Sequence, residues 1–341
     1  MAFAFRIAIL ALVALTGNTR AETIADFYRG KTVTAYIGYE AGGGYDLYGR
    51  ALAKFIGRHL PGAPIVIPVN MPGAASMVLA NYLAKVAPRD GTAFGAVNSA
   101  LLLDTLIAGP SSKAQFKAAE MSMLGSISSN ASVLLGWSGA GVASIEDIRT
   151  KGLVVGTTAL TSDSFLSALA LKKALRLDNM KLISGYPGTR ELTLAMERGE
   201  VGGRVWDMES MGSQKPEWMN SGAVRIIAEL APKPMPEMPA GVHLAREFAA
   251  NDLDRQALDV VFSNSLAFRP YLAPPGLPPE TLAALREAFS ATMADPDFIA
   301  EMKHMNLGVT PMSGVELQQT IAQIYALDDA AVARVRELTT P

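Results

Sequence analysis

The chain has 341 residues and a mass of 36.1 kDa, a length typical of two ordinary domains rather than one small core. Hydrophobic residues make up 50% and charged residues 18% of the sequence, which excludes a disordered chain. The net charge of -2 provides no basic field for a nucleic-acid partner, and the absence of cysteine excludes disulfides, cysteine-ligated metals and cysteine nucleophiles.

The first segment has the features of a secretory signal. Arg6 gives it a positive start, residues 7–15 form an apolar run too short to span a bilayer, and Thr19 and Ala21 are small residues at the positions read by a signal peptidase. We predict a signal peptide at residues 1–21, cleaved after Ala21, and export of the mature protein; the alternative is a buried first helix. Cleavage removes two basic residues and changes the net charge from -2 to -4.

Strand–loop–helix units follow one another after the signal segment. Each strand is rich in β-branched, aromatic or small apolar residues, ends in a loop of small residues and continues into an apolar helix. The predicted strands span residues 31–39, 65–70 and 92–98, and the first two predicted helices span residues 45–56 and 77–86. This repetition predicts a parallel α/β sheet.

The second half repeats the pattern before it becomes helical. Predicted strands cover residues 123–126, 132–136, 153–156, 181–185, 201–205 and 224–228, and predicted helices begin at residue 144 and cover residues 165–175 and 191–198. Residues 260–268 are predicted as a returning strand, 270–279 as a proline-rich connection, and 280–293 and 315–338 as amphipathic helices.

This order predicts two domains, one inserted into the other. We expect a discontinuous domain 1 from residues 22–122 and 260–341, because the helical C-terminal part has to pack back on an existing sheet. Residues 123–259 form the inserted domain 2. A ligand site is expected between them, at the carboxyl ends of the strands.

A glycine loop is the first candidate for binding chemistry. Gly42, Gly43 and Gly44 stand between a strand and a helix, where backbone N–H groups and the positive helix end favour an anion. The spacing fits neither the dinucleotide fingerprint nor a Walker A loop. The alternative is a tight turn without a ligand. Asp46 either caps the helix or accepts hydrogen bonds from a ligand or an ordered water.

Two further loops occupy the equivalent position after the next strands. One contains Pro72, Gly73 and Ala74, and the other contains Ser99. Loops that follow neighbouring parallel strands meet at one edge of the sheet, which favours a shared site. The alternative is that these small residues only allow close packing of helix against strand.

In the second half, a loop with many hydroxyl groups precedes a helix, and some of these groups must cap it. Arg190 follows a turn, where it either grips a carboxylate or is a solvated surface residue. Trp206 is either a core residue or a cleft wall, and Asp207 follows it.

No nucleophile elbow or zinc-protease motif is present, and the acidic pair Asp328 and Asp329 is interpreted as a solvated helix face. We predict no catalytic residue, no metal and no cofactor.

The sequence resembles the periplasmic substrate-binding receptors of tripartite tricarboxylate transporters, also called Bug-type receptors. The matching motifs keep their order over nearly the whole mature chain. They are Phe27-Tyr28-Arg29-Gly30-Lys31, Gly42-Gly43-Gly44-Tyr45-Asp46, Asn70-Met71-Pro72-Gly73-Ala74, Ala87-Pro88-Arg89-Asp90-Gly91-Thr92, Tyr186-Pro187-Gly188 and Leu272-Ala273-Pro274-Pro275-Gly276-Leu277-Pro278. The sequence departs from the family pattern at Glu40, Ala75, Leu160 and Arg190.

The resemblance implies a two-domain α/β periplasmic binding protein of the type II-like, Venus-flytrap architecture, each domain a mainly parallel sheet flanked by helices. It implies a small carboxylate ligand held between the domains, and delivery to the membrane subunits of a transporter. The implied first wall comprises Gly43, Gly44, Tyr45, Asp46, Pro72, Gly73, Ala74 and Ser99. The implied second wall comprises Thr157, Thr158, Thr161, Ser162, Arg190 and Asp207.

We expect a periplasmic monomer that is not an enzyme. Two alternatives stay open: a periplasmic enzyme acting on organic acids, and a sensory subunit that presents its ligand to a membrane kinase. The sequence does not choose among dicarboxylates, hydroxy acids, aromatic acids and amino acids as the ligand.

Overall fold

The computed structural model describes residues 23–158, 160, 162–235 and 238–341. The predicted signal peptide therefore lies outside the described residues. The strands are β1 (Thr32–Ile37), β2 (Ile65–Asn70), β3 (Ala93–Ala96), β4 (Ser122–Ser126), β5 (Ser132–Trp137), β6 (Leu153–Gly156), β7 (Met180–Ile183), β8 (Gly203–Asp207), β9 (Val224–Leu230), β10 (Pro270–Ala273) and β11 (Met312–Ser313).

The α-helices lie between and after these strands. They are α1 (Ile24–Tyr28), α2 (Gly44–Ile56), α3 (Met77–Lys85), α4 (Asp104–Ala108), α5 (Ile145–Lys151), α6 (Asp163–Ala174), α7 (Thr189–Glu197), α8 (Met208–Gln214), α9 (Trp218–Ser221), α10 (Asp252–Phe262), α11 (Pro279–Met293), α12 (Pro296–His304), α13 (Gly314–Tyr325) and α14 (Asp329–Thr339). None of the helices in the described ranges is both long and apolar enough to cross a membrane.

The strands form two sheets, which confirms the predicted two-domain α/β fold. The first sheet has the order β11-β4-β10-β3-β1-β2, and the second has the order β7-β6-β8-β5-β9. Each sheet is mainly parallel, as predicted, and contains a minority of reversed strands. In the first sheet β10 and β11 run opposite to the other strands, and in the second sheet β5 does. Two of the reversed strands, β5 and β10, are the first strands that the chain enters after it crosses from one sheet to the other.

The parallel part of the first sheet positions the glycine loop. Strand β1 lies between β2 and β3 and pairs with both in parallel, so the loops that follow all three strands open at one edge. Helix α2 packs closely on β1 because Gly49 faces Ile37, where an added Cβ would lie only 2.7 Å from the isoleucine side chain. The first turn of α2 is thereby held at this edge of the sheet.

The region after residue 250 differs from the sequence prediction. Residues 260–268 are not a strand: α10 extends through Phe262, and a short 3-10 helix follows at Ser263–Ser265. Asn251 caps α10 by accepting a hydrogen bond from the N–H of Asp254, and buried Asp254 accepts one from Arg334 at 2.7 Å. The real strand, β10, lies inside the segment predicted as a proline-rich connection.

The last predicted helix is two helices. Asp328 accepts a hydrogen bond from the N–H of Ala331 at 2.8 Å and so begins α14 after α13 has ended. Asp328 and Asp329 are both exposed, as predicted, but Asp328 is the N-cap of α14 rather than a residue within a helix face. Helix α12, which the sequence analysis did not predict, begins in the same way with Asp295 as its N-cap.

Two chain segments connect the sheets, and they are hydrogen-bonded to each other. The first segment joins β4 to β5, and the second joins α10 to β10. The N–H of Asn130 donates to the carbonyl of Ser265 at 2.8 Å, and the N–H of Phe268 donates to the carbonyl of Ser128 at 2.9 Å. The N–H of Ile127 reaches the carbonyl of Arg269 at 3.3 Å. We call these paired segments, residues 127–131 and 263–269, the hinge segments.

The predicted domain boundaries at residues 122 and 260 remain predictions. Strand β4, which begins at the first boundary, pairs with β10 and β11 in the first sheet. At the other end, α14 contacts both halves of the molecule: Lys173 of α6 donates to the carbonyl of Glu337, and Arg336 donates to the carbonyl of Leu106.

Candidate functional site

Hydrogen bonds join the three loops at the edge of the first sheet into one cluster. The side chain of Asn98, after β3, donates to the hydroxyl of Tyr39, after β1, at 2.5 Å. The N–H of Asn98 donates to the hydroxyl of Ser76, after β2, at 3.2 Å. Asn70 at the end of β2 donates to the carbonyl of Tyr39 at 2.9 Å. The loops therefore hold one another in place at the mouth of the cleft.

Asp46 organises the glycine loop. Its carboxylate accepts hydrogen bonds from the N–H of Gly42 at 2.9 Å, from Nε of Arg50 at 2.9 Å and from the amide of Asn70 at 2.8 Å. Burial alone would raise the pKa of Asp46, but these hydrogen bonds outweigh it and the pKa is lowered. The buried carboxylate is thus ionised and already bound by protein donors, which makes it a support for the loop.

The N-terminus of α2 faces a buried arginine. Gly43 is the N-cap residue, and no side chain caps this end of the helix. Gly44 is the first helical residue, and a Cβ placed on it would lie 3.5 Å from Nη1 of Arg269. The guanidinium therefore lies beside the positive end of the helix dipole, and two positive groups this close together favour a bound anion.

Arg269 has an unusual environment for a charged side chain. Only 10% of the side chain is exposed, and its guanidinium lies against the rings of Tyr45, Tyr48 and Phe268, with the carbon of the guanidinium 4.1 Å from the Tyr48 ring centre. Nε has no hydrogen-bond partner among the described residues. A buried cation with incomplete hydrogen bonding is costly, so this position favours a bound anion.

Tyr45 connects this anion site to the hinge segments. Its ring stacks on Tyr39 with the centres 4.4 Å apart, and its hydroxyl donates to the carbonyl of Phe268 at 2.9 Å. Burial raises the pKa of the Tyr45 hydroxyl, which therefore stays protonated as a donor. The predicted residue Tyr45 thus fixes both the glycine loop and the segment that carries Arg269.

Acidic residues at the start of α8 form the facing wall. Oε2 of Glu209 lies 3.8 Å from Nη2 of Arg269, a charge contact that spans the two walls. Burial raises the pKa of Glu209, Arg269 counteracts this, and Asp207 adds to the rise. Asp207 itself accepts hydrogen bonds from Asn130 at 3.0 Å and from the N–H of Ser210 at 2.8 Å, so it caps α8.

A cavity of about 120 Å³ lies at the inner end of the cleft. Its lining combines residues from the segment after β3, from the second sheet, from helices α6, α10 and α14, and from both hinge segments. They include Ser99, Asn130, Ser132, Asp163, Ser167, Asn264, Ser265, Phe268 and Thr339. The cavity adjoins the anion site because Phe268 belongs to both.

The loop after β2 is strained. Ala74, Ala75 and Ser76 follow Gly73, and their φ angles of 46°, 50° and 73° all lie in the left-handed region that residues with a Cβ rarely occupy. Ser76 is fully buried, and Gly38 can approach it only because it lacks a Cβ. Pro72 is half-buried at the start of this loop. Strain of this kind is tolerated where neighbouring structure fixes the conformation, as the hydrogen bond from Asn98 does here.

Three described residues of the predicted second wall, Thr157, Thr158 and Ser162, precede α6, whose first residue, Asp163, lines the cavity. Thr157 is buried, and its N–H donates to the carbonyl of Ile183 at 2.8 Å. The carbonyl of Thr158 accepts from the N–H of Gly185 at 2.6 Å. Ser162 caps α6 by accepting from the N–H of Phe165 at 3.2 Å. Thr161 lies outside the described residues.

Arg190 lies apart from this arrangement. Its side chain is exposed on α7, where it lines a surface pocket with Thr193, Leu194, Gln214 and Lys215. No residue of the first sheet lines that pocket. The position of α7 therefore does not bring Arg190 to the cleft between the sheets.

The sequence analysis missed Arg269, Glu209 and Asn130. Arg269 had been placed just past a predicted strand, where a charged residue is unremarkable. One signal was present, since Arg269 stands between Phe268 and Pro270 in an otherwise apolar segment. Within the described part of the chain, no group of histidine and acidic residues is arranged to hold a metal ion.

Comparison with solved structures identifies the fold. A TctC solute-binding protein from Polaromonas, solved without ligand, matches with a TM-score of 0.69 and 16% identity over 91% of this chain and 98% of its own. MatC from Rhodopseudomonas palustris with bound malate matches with a TM-score of 0.55 and 17% identity over 91% and 99%. The periplasmic binding protein BugD matches with a TM-score of 0.54 and 19% identity over 91% and 97%.

Sequence comparison alone finds less. No family model matches the chain, and no curated protein matches it. At these identities the structural matches show that the chain has the fold of solute-binding proteins, in which two α/β domains flank a cleft.

Proposed function

We propose that this protein is a periplasmic solute-binding receptor that captures a small organic acid between its two domains and delivers it to a tripartite tricarboxylate-type membrane transporter. The observation that carries the proposal is the buried guanidinium of Arg269 beside Gly44 at the uncapped N-terminus of α2. Its flat array of N–H donors matches a carboxylate, and the N–H groups of the first helical turn lie beside it.

The ligand carboxylate completes a site that the protein leaves incomplete. Nε of Arg269 has no partner among the described residues, and the nearest carboxylate, Glu209, is at 3.8 Å, outside the usual length of a charged hydrogen bond. Gly44 and Tyr45 lie beside this position. We propose that the other first-wall residues predicted from the sequence provide further backbone donors or walls, with Asp46 as their support: Gly43, Pro72, Gly73, Ala74 and Ser99.

The position of Arg269 in the hinge segments links ligand binding to closure of the cleft. Arg269 is the last residue of the hinge segments, and its carbonyl accepts the hydrogen bond from Ile127. A ligand bound to Arg269 and to the second wall, which includes Asp207, therefore favours the closed arrangement over the open one, because only the closed arrangement brings both walls to the ligand.

Several features support transport rather than catalysis. The compared structures are binding proteins, and one was solved with malate. The sequence begins with a secretory signal pattern, which fits a periplasmic receptor. We propose that the receptor is a monomer, and that Thr157, Thr158, Thr161 and Ser162 shape the second wall. Arg190 belongs to that wall only if its helix approaches the cleft on closure.

A thermal-shift screen tests this function. The mature protein is heated with malate, succinate, citrate, benzoate and amino acids, and at least one acid should raise the melting temperature by binding the folded state. Calorimetry then compares wild type with Arg269→Gln for that acid. We expect the variant to bind about 30-fold more weakly or worse, because it lacks one partner of a buried charged contact.

Arg225→Gln is the control, since Arg225 is an exposed arginine on β9 and its loss should leave the affinity unchanged. Arg269→Gln removes a buried charge and is expected to fold. Wild-type affinity in Arg269→Gln would reject the site. Turnover of an acid by the purified protein would favour the enzyme alternative.

A further inference from the structure

The cavity at the inner end of the cleft has one charged side chain in its described lining, that of Asp163. Asp163 is the first residue of α6, after the cap residue Ser162. No described residue donates a hydrogen bond to its carboxylate or forms an ion pair with it. The surrounding protein raises the pKa of Asp163 through partial desolvation, although the side chain keeps access to solvent.

The rest of the lining suits a polar ligand group. Hydroxyl and amide side chains of Ser99, Ser132 and Asn264 border the cavity together with the apolar side chains of Leu166 and Phe262. The side chains include no lysine, arginine or histidine that would neutralise Asp163. A hydrogen-bond-donating cation is the group that this lining fits best.

The two sides of the cleft have opposite charge. The first wall has the guanidinium of Arg269 and the N-terminus of α2, and the second has the carboxylate of Asp163 at the cavity and that of Glu209 near Arg269. A dicarboxylate that spans the cleft would place its second carboxylate against the acidic wall. A ligand that is negative at one end and positive at the other meets opposite charge on both sides.

We propose that the ligand is a zwitterionic amino acid whose carboxylate binds Arg269 and whose ammonium group binds Asp163. This inference rests on the proposed receptor function and narrows its ligand class. Tyr45 links the two subsites: its ring centre lies 5.3 Å from the guanidinium carbon of Arg269, and its hydroxyl bonds to Phe268, which lines the cavity with Asp163. The ammonium group would supply the donors that the carboxylate of Asp163 lacks.

The position of Asp163 also has a purely local use. An acidic residue in the first turn of a helix is stabilised by the helix dipole, and Asp163 occupies such a position. Asp329 provides the matched case: it is the first residue of α14, follows the cap residue Asp328, is exposed and does not line the cavity. A role of Asp163 in binding is therefore separable from its effect on the helix.

Matched pairs of acids test the inference. Full-length mature protein is titrated calorimetrically with aspartate and succinate, glutamate and glutarate, 4-aminobutyrate and butyrate, and phenylalanine and 3-phenylpropanoate. At least one amine-bearing acid should bind about tenfold or more tightly than its amine-free partner. Asp163→Asn should weaken the binding of that amino acid by about 10- to 100-fold and leave the amine-free partner almost unchanged, because only the charged contact is lost.

Asp329→Asn should bind like wild type, and Asp163→Ser serves as a second charge-free variant with a residue suited to a first helical turn. If the amine-free acids bind as tightly as the amino acids, or if Asp163→Asn binds the amino acid with wild-type affinity, the inference is wrong while the receptor function stands. If no acid of either set binds at millimolar concentration, both proposals are rejected.

Discussion

Nη2 of Arg269 lies 3.8 Å from Oε2 of Glu209, and the two residues belong to opposite walls of the cleft. The distance is too long for a charge-assisted hydrogen bond, which has a usual N–O length of about 2.7–2.9 Å. The pair therefore attracts the two walls without satisfying either group. A ligand carboxylate that reaches Arg269 enters the field of Glu209 as a like charge.

We predict that Glu209→Gln raises the affinity for a carboxylate ligand several-fold. The change keeps the side-chain shape and removes the negative charge next to the proposed carboxylate position, while the attraction lost between the walls is weak at 3.8 Å. Calorimetry at low and at moderate salt measures the effect, which should be smaller at moderate salt. Glu200→Gln, an exposed change in the same half of the chain, should have no effect, and a loss of affinity in Glu209→Gln would show that closure depends on this ion pair.

Asp46→Asn is expected to lower both stability and affinity. In the wild type the carboxylate of Asp46 accepts hydrogen bonds from the N–H of Gly42 and from the side chains of Arg50 and Asn70. The NH2 group of an asparagine at this position is itself a donor, so it would face these donors without an acceptor. We expect a loss of about 2 kcal/mol in the free energy of unfolding, because hydrogen bonds to a buried charge are lost while the half-exposed Arg50 stays screened by solvent. Urea unfolding of the wild type and of Asp46→Asn measures this loss of stability.

The control for this change is Asp26→Asn. Asp26 also accepts hydrogen bonds from a nearby arginine and a hydroxyl, but it lies on the surface, so its replacement should not change stability measurably. Equal effects of the two changes would show that burial of Asp46 is not what makes it important.

Stability should fall in acid partly because of Asp295. Burial would raise the pKa of this carboxyl, but hydrogen bonds from Arg58 and His59 hold it well below the ordinary value of 3.8. A carboxyl with a lowered pKa in the folded state stabilises that state above its unfolded-state pKa, and the stabilisation is lost as the pH falls. The difference in unfolding free energy between wild type and Asp295→Asn should therefore shrink between about pH 5 and about pH 3.

Asp297→Asn is the control for the pH experiment, since it removes an exposed carboxylate 3.2 Å from the same Arg58. Its pH profile should follow that of wild type. A wild-type to Asp295→Asn difference that is independent of pH would mean that the ionised carboxylate is not the stabilising species.

Ala75→Gly is expected to stabilise the protein. Ala75 has a φ of 50° in an exposed position, and a left-handed conformation costs a residue with a Cβ about 1 kcal/mol or slightly more relative to glycine. The gain in unfolding free energy should be up to about 1 kcal/mol, reduced by the greater freedom of glycine in the unfolded chain. Ala300→Gly, on the exposed face of α12, should instead destabilise by about 1 kcal/mol.

Much of the first sheet was predictable because its signals are local. The β-branched run of β1 and the small residues after β1, β2 and β3 fixed the strands and the edge at which their loops meet. The pairing of Asp46 with Arg50 is also local, since a spacing of four residues places two side chains on one helix face. It was not used in predicting the site, which left the role of Asp46 open.

Arg269, the residue proposed to bind the ligand carboxylate, was not predictable in this way. Arg269 is buried by Tyr45 and Tyr48, which precede it by more than 200 residues, and no local pattern announces such a contact. The error at residues 260–268 has a similar origin. Val260, Val261 and Phe262 favour a strand by composition. These residues are nevertheless helical, because Asn251 caps α10 and α10 packs against the C-terminal helix α14.

A crystal structure with an acid selected by thermal shift tests the central claim most directly. The account predicts a ligand carboxylate oxygen at about 3 Å from the guanidinium of Arg269 and beside the first N–H groups of α2. An acid bound in the cleft with its carboxylate away from Arg269, or bound outside the cleft, would contradict it.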